Sequence, residues 1–157
     1  MSAKYSQEDI TALLAERKVL PKDYRTYTQL RQKRGHKEQE LDVKGESGNN
    51  FRIIVRQSNS NPLDFTVILA FCPVNSNLVF RLRRYNGKSH EHTNHIEGKT
   101  FYDFHVHMAT QRYQDSGAKE DAYAESSDRF SDIHGALDCL VKDCGFDVPP
   151  GSQLALF

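Results

Sequence analysis

Between residues 51 and 108 the chain alternates apolar and polar side chains with a period of two in four separate runs, and this limits the folds open to it. In "FRIIVRQ" (51–57), Phe51, Ile53 and Val55 stand against Arg52, Ile54 and Arg56. In "LDFTVILAF" (63–71), Leu63, Phe65, Val67, Leu69 and Phe71 stand against Asp64, Thr66, Ile68 and Ala70. In "NLVFRLRRY" (77–85), Leu78, Phe80 and Leu82 stand against Val79, Arg81, Arg83 and Tyr85. In "TFYDFHVHM" (100–108), Phe104, Val106 and Met108 stand against Asp103, His105 and His107. Neighbouring side chains of a strand point to opposite faces, so these runs predict strands with one buried and one wet face. The connectors "SNSNP" and "PVNSN" carry turn chemistry, and their shortness predicts an antiparallel meander. "LDVKGE" (41–46) is a candidate fifth strand.

Helical spacing brackets this sheet. "SQEDITALLAERK" (6–18) predicts a helix capped by Ser6, with Ile10, Leu13, Leu14 and Arg17 on one face, ended before Pro21. "DRFSDIHGALDCLVKDC" (128–144) repeats Phe130, Ile133, Leu137, Leu140, Val141 and Cys144 at helical spacing, with Gly145 just past its end. Residues 22–36 are basic and rich in Gln and Tyr, and read as a second helix or an irregular arm. The expected fold is α+β: a four- to five-stranded antiparallel sheet with an N-terminal and a C-terminal helix. It forms a single domain over residues 1–147, and residues 148–157 are a flexible C-terminal tail.

Composition narrows the function classes. A length of 157 residues suits one domain, and a mean hydropathy of −0.68 leaves no apolar run of membrane-spanning length. "MSAKYSQEDI" lacks the hydrophobic region of a signal peptide, and Cys72, Cys139 and Cys144 form no CxxC, so a reducing cytoplasmic setting is expected. Net charge is zero but uneven: residues 17–37 hold eight Lys/Arg and one acid, while residues 114–147 hold nine Asp/Glu and three Lys/Arg. Such segments are either solvated faces, or patches for nucleic acid, for a partner or for each other.

The candidate chemistry of the domain lies in residues 81–113, which hold five of the seven histidines: His90, His92, His95, His105 and His107. The alternation puts His105 and His107 on the wet face with Arg81, Arg83 and Tyr85. Arg can bind phosphate and His can move protons, which fits metal-independent phosphodiester cleavage. An alternative is a metal site on His90, His92 and His95, although HxHxxH lacks the spaced Cys or carboxylate of standard motifs. A third reading is a polar sheet face with no chemistry. No cofactor is expected: neither a phosphate loop nor a GxSxG elbow is present.

The chain closes "VPPGSQLALF". Gln153, Leu154, Ala155, Leu156 and Phe157 follow a Pro-Pro-Gly-Ser spacer that favours projection over packing. The plain alternative is a frayed end, or one folded back on the core. "QLALF" resembles the Gln-Leu-x-Leu-Phe pentapeptide by which bacterial polymerases, mismatch-repair proteins and initiation regulators dock on the DNA sliding clamp. The resemblance covers these five residues. It implies a hydrogen-bonding Gln153, an extended Leu154, a tolerant Ala155, and Leu156 and Phe157 filling an apolar pocket.

A second, looser resemblance covers about a third of the chain. "RLRRYNGKSHEHTN" followed by "FYDFHVHMATQRY" resembles TumE-type toxin families of small prokaryotic proteins. It implies a toxin–antitoxin setting. The expected function is therefore a sliding-clamp-binding protein acting on DNA replication or repair, including a replication-blocking toxin or a phage or plasmid inhibitor. The alternative is a small toxin-type nuclease targeted by its tail. The expected partner is the bacterial sliding clamp; an antitoxin or other protein and nucleic acid stay open, and no membrane partner is expected.

Overall fold

The computed structural model describes residues 4–22, 24 and 30–148. In chain order the elements are α1 (Gln7–Ala15), β1 (Lys18–Val19), β2 (Arg31–Gln32), β3 (His36–Lys44), β4 (Asn50–Ser58), β5 (Phe65–Phe71), β6 (Phe80–Asn86), β7 (His92–Asn94), β8 (Lys99–Phe101), β9 (His105–Met108), α2 (Gln111–Asp115), β10 (Tyr123–Ser126), α3 (Ile133–Asp143) and β11 (Phe146–Asp147). The fold is α+β. Its main sheet is antiparallel with seven strands in the order β10-β9-β6-β5-β4-β3-β2. β7 and β8 make a separate hairpin, and β1 pairs in parallel with β11.

The sheet is larger than the four to five strands expected. The run at 41–46 is the end of a nine-residue strand that starts at His36 and turns back from β2, so part of the basic arm is sheet. β10 adds the far edge with only Ala124 fully buried, too short a stretch to show a period. The run at 100–108 is two elements: Lys99–Phe101 belongs to the small hairpin, and His105–Met108 enters the main sheet.

One face of the sheet carries the apolar core. Phe51, Ile53 and Val55 of β4, Phe65, Val67 and Leu69 of β5, and Phe80, Leu82 and Tyr85 of β6 pack against helices α1 and α3. Helix α1 starts as the sequence indicates, with a reciprocal cap between Ser6 and Asp9. It buries Ile10 and Leu13. Helix α3 is capped by Asp132 and buries Ala136, Leu137, Leu140 and Val141. Gly145 follows it at φ 76, and a side chain there would strike the carbonyls of Leu14 and Glu16, so the ends of the two helices meet at a residue with no Cβ.

Lys18 ties that junction. It is fully buried, and its ammonium donates to the carbonyls of Leu13, Leu14, Glu16 and Cys144 at 2.8 to 3.2 Å. It also lies 4.4 Å from the centre of the Phe51 ring. The last carbonyls of α1 and α3 thus share one cation where both helix dipoles are negative. Close by, Arg17 from the basic segment pairs with Asp147 from the acidic one, within one chain.

A bulge in β6 changes the faces of two candidate residues. Leu69 pairs with Arg83 and Ala70 with Arg81, so Leu82 is the extra residue on β6. Beyond it every side chain switches face. Arg83 and Tyr85 therefore lie on the helix side of the sheet, not with the histidines, and Arg84 and Asn86 take the opposite face. Arg81, before the bulge, stays on that opposite face.

Candidate functional site

The face opposite the core is polar, and it is largely covered. His105 pairs with Asn86 and His107 with Arg84, so both imidazoles leave the sheet on the side expected, opposite Val106 and Met108. They are not wet. His105 is 1% exposed and His107 5% exposed, because the β7–β8 hairpin and the loop before β10 lie over them. The His92 ring stacks on His105 at 5.6 Å and meets His107 edge-on at 4.8 Å. Phe101 closes over His105 at 5.7 Å.

Hydrogen bonds assign the ring protons. His105 Nδ1–H donates to the Asp103 carbonyl at 2.7 Å, and His107 Nδ1–H to the Asp121 carbonyl at 2.8 Å. His92 Nε2–H donates to Asn94 Oδ1, whose amide is itself locked to both backbone groups of Ala124. His105 Nε2 is buried with no partner among the described residues. Burial pushes His105 down to about 4 and His107 down to about 2, with the nearby Arg84 cation and neighbouring rings adding to the shift, so both are neutral at pH 7.

These shifts set a pH dependence. The unfolded histidines take up protons near 6.5, well before the folded ones. Their contribution to stability is full above about 6.5; His105 loses its share as the pH falls to about 4, and His107 goes on losing its share toward about 2. Going from pH 7 to about pH 5.5 is expected to remove about 2 kcal/mol from the two sites together. Urea titrations at the two pH values measure this, and a flat profile would contradict the neutral buried pair.

Cross-strand register lines up the remaining polar groups. Arg56 on β4, Thr66 on β5, Asn86 on β6 and His105 on β9 form one row across the sheet. Thr66 Oγ1 donates to Asn86 Oδ1 at 2.6 Å. Over this row opens a cleft of about 320 Å³ with Arg56, Thr66, Arg84 and Asn86 on its floor. His36 and Gly35 of the β2–β3 turn form one wall, and Ser89 and His90 the other. Arg84 Nε pairs with Asp121 at 3.0 Å, and Arg56 lies 3.9 Å from Glu38.

The other expected residues lie elsewhere. Arg81 pairs with Glu120 at 3.4 Å and Asp121 at 3.5 Å, fastening the loop before β10. Tyr85 donates to Asp143 Oδ2 at 2.7 Å, and its burial raises the hydroxyl far above its usual range, as a core hydrogen bond would. Arg83 lies beside Asp143 in a groove under α1. Burial alone would raise Asp143; bonds from Arg129 and Tyr85 hold it below its ordinary value. His95 stands apart from His90 and His92: it packs on Tyr113 at 4.7 Å, while His92 at 5.6 Å and His90 at 6.4 Å both lie against His105, His90 also lining the cleft wall. Among the described residues no group of three His, Cys, Asp or Glu is arranged to hold a metal ion.

Sequence reasoning put Arg56 on the polar side of its strand but did not join Thr66, Arg84, Asn86 and His36 to it. The bulge hid Arg84 and Asn86, and His36 stood in a segment not read as strand. Comparison with protein-family models, characterised proteins and solved structures finds no match. Among the described residues no helix is long and apolar enough to cross a membrane. Gln153, Leu154, Leu156 and Phe157 lie outside the described residues.

Proposed function

We propose that this chain binds the bacterial DNA sliding clamp through Gln153-Leu154-Ala155-Leu156-Phe157, and by occupying the client pocket acts on DNA replication or repair. The observation that carries the reading is the pentapeptide itself: four specified positions in the right order arise by chance at roughly one site in 10⁵. The arrangement of the domain adds indirect support. With Arg83 and Tyr85 on the helix side and His105 and His107 sealed and neutral, the nuclease set read from the sequence is not assembled on one open surface. The peptide's affinity follows from its size. Two Leu and one Phe offer about 5–9 kcal/mol of apolar burial against an ordering cost of similar size, so the peptide alone is a weak binder, micromolar or looser.

The test is calorimetry of purified clamp with the full chain and with a chain lacking residues 153–157. Micromolar binding by the first and none by the second is expected. Equal binding by both, or none by either, overturns the reading. A small toxin-type nuclease is the second reading, favoured by one observation, the buried His105 Nε2 lone pair beside Asn86. It requires cleavage of labelled RNA or DNA by the full chain that His105→Gln abolishes.

A further inference from the structure

The basic segment and the cleft belong to one surface. The β2–β3 turn that supplies the cleft wall at Gly35 and His36 also carries Arg31, Lys33 and Arg34, all three exposed; Lys37, paired with Gln57, faces the other side of the sheet. Arg56 and Arg84 continue this line onto the cleft floor. They stand two strands apart and two residues out of step on the same face, which places their Cα atoms roughly 11 Å apart, a span that two arginine side chains can close from both sides. Asp121 takes the Nε of Arg84, and no hydrogen bond joins its terminal amines to another described residue. Among the described residues the Arg56 terminal amine meets the His36 ring, at 3.3 Å. Thr66 and Ser89 add hydroxyls to the floor and wall. Asp64 lines the cleft, held 3.4 Å from Ser89; Glu38 stands opposite Arg56 on the same sheet face and bonds the His36 ring at 3.2 Å, and Asp121 holds Arg84, so each acid already has a partner.

We propose that this surface binds the phosphodiester backbone of a nucleic-acid strand, with Arg56 and Arg84 clamping one phosphate in the cleft and the β2–β3 turn following the next ones. The cations are spread along a path rather than gathered at a point, which suits a polyanion. Guanidinium is the group that grips phosphate oxygens in pairs. The row of Thr66 and Asn86 offers neutral polar contacts without base-reading geometry, so binding is indifferent to sequence. This site is separate from the clamp peptide and does not depend on it.

The experiment is fluorescence anisotropy of a labelled single-stranded oligonucleotide of about 12 nucleotides with the full chain, in the absence of clamp. With up to five cations engaged, the slope of log K against log salt is expected near about −3.5. Arg56→Ala, and separately the exposed pair Lys33→Ala with Arg34→Ala, are each expected to weaken binding about tenfold and to flatten that slope by about one unit per charge removed. Arg52→Ala removes the same charge from the same strand and face at its far end, where Arg52 pairs with Asp42, and is expected to leave binding unchanged. Excess inorganic phosphate should compete weakly, because it fills the clamp without following the path. Equal weakening by Arg52→Ala and Arg56→Ala, no binding at low salt, or a folded Arg56→Ala protein that binds as wild type overturns the proposal.

Discussion

A chain carrying Leu156→Ala and Phe157→Ala is expected to lose all detectable affinity for the purified sliding clamp while its Tm stays where it was. The two truncations delete most of the apolar surface the peptide can bury, about 3–6 kcal/mol by the area rule. A micromolar interaction holds only about 8 kcal/mol in total, so the residual Kd rises to about 0.2 mM or weaker. Gln153→Ala removes a hydrogen bond rather than a pocket group and should cost about 1–2 kcal/mol. Ala155→Ser, at the tolerant position, should be nearly silent. The Tm should not move, because every core residue described lies at or before Val148. Surface binding of these variants together with thermal melts checks both halves. Unchanged affinity in the double variant defeats the assignment, and a large fall in Tm would place the tail in the core instead.

Lys18→Met is expected to destabilise the domain by about 3 kcal/mol. Two effects oppose each other. Met spares the protein the burial of a cation; burial lowers the Lys18 ammonium to about 8, so it is charged at pH 7 at some cost. Met also leaves the carbonyls of Leu13, Leu14, Glu16 and Cys144 without their common donor. An unsatisfied buried acceptor costs about 1–3 kcal/mol, so four together outweigh the relief of one amine. Denaturant unfolding gives the number. A variant as stable as wild type would show that the two helix ends relax or hydrate without the lysine.

How much of this was legible depended on whether burial left a periodic trace. β4 and the first half of β6 follow their alternation residue by residue, since each has one face on the core. β5 carried more information than the alternation alone: "TVILAF" is apolar on both faces, as a strand covered on both sides should be, and Ile68 and Ala70 are indeed buried opposite Val67 and Leu69. The bulge was not readable until the burial of Tyr85 was known. Leu82 and Tyr85 are three residues apart, an odd spacing, and both can reach one core only if the strand absorbs an extra residue between them. The covering of the histidines was not readable. The β7–β8 hairpin is polar, and it is held by stacked rings and by one asparagine amide paired to the Ala124 backbone, contacts that leave no period in the sequence. Nothing in the packing of the domain bears on the pentapeptide, whose information is local.

The junction at Lys18 also has a consequence for how the chain is made. Lys18 and its acceptor on Cys144 are 126 positions apart, and β1 pairs with β11 while a single bridge joins Lys18 to Gly45. At ordinary translation speeds of roughly 5–20 residues per second, the first helix emerges on the order of ten seconds before the residues that complete its cap. In that interval the Lys18 amine stays hydrated, and the ends of the sheet can assemble without it. Closure of the first helix onto the last is therefore a late event of synthesis, and a message truncated before codon 144 would yield a protein whose first helix is held by the β3–β4 turn through Glu16, Arg17 and Lys18 but not by the last helix.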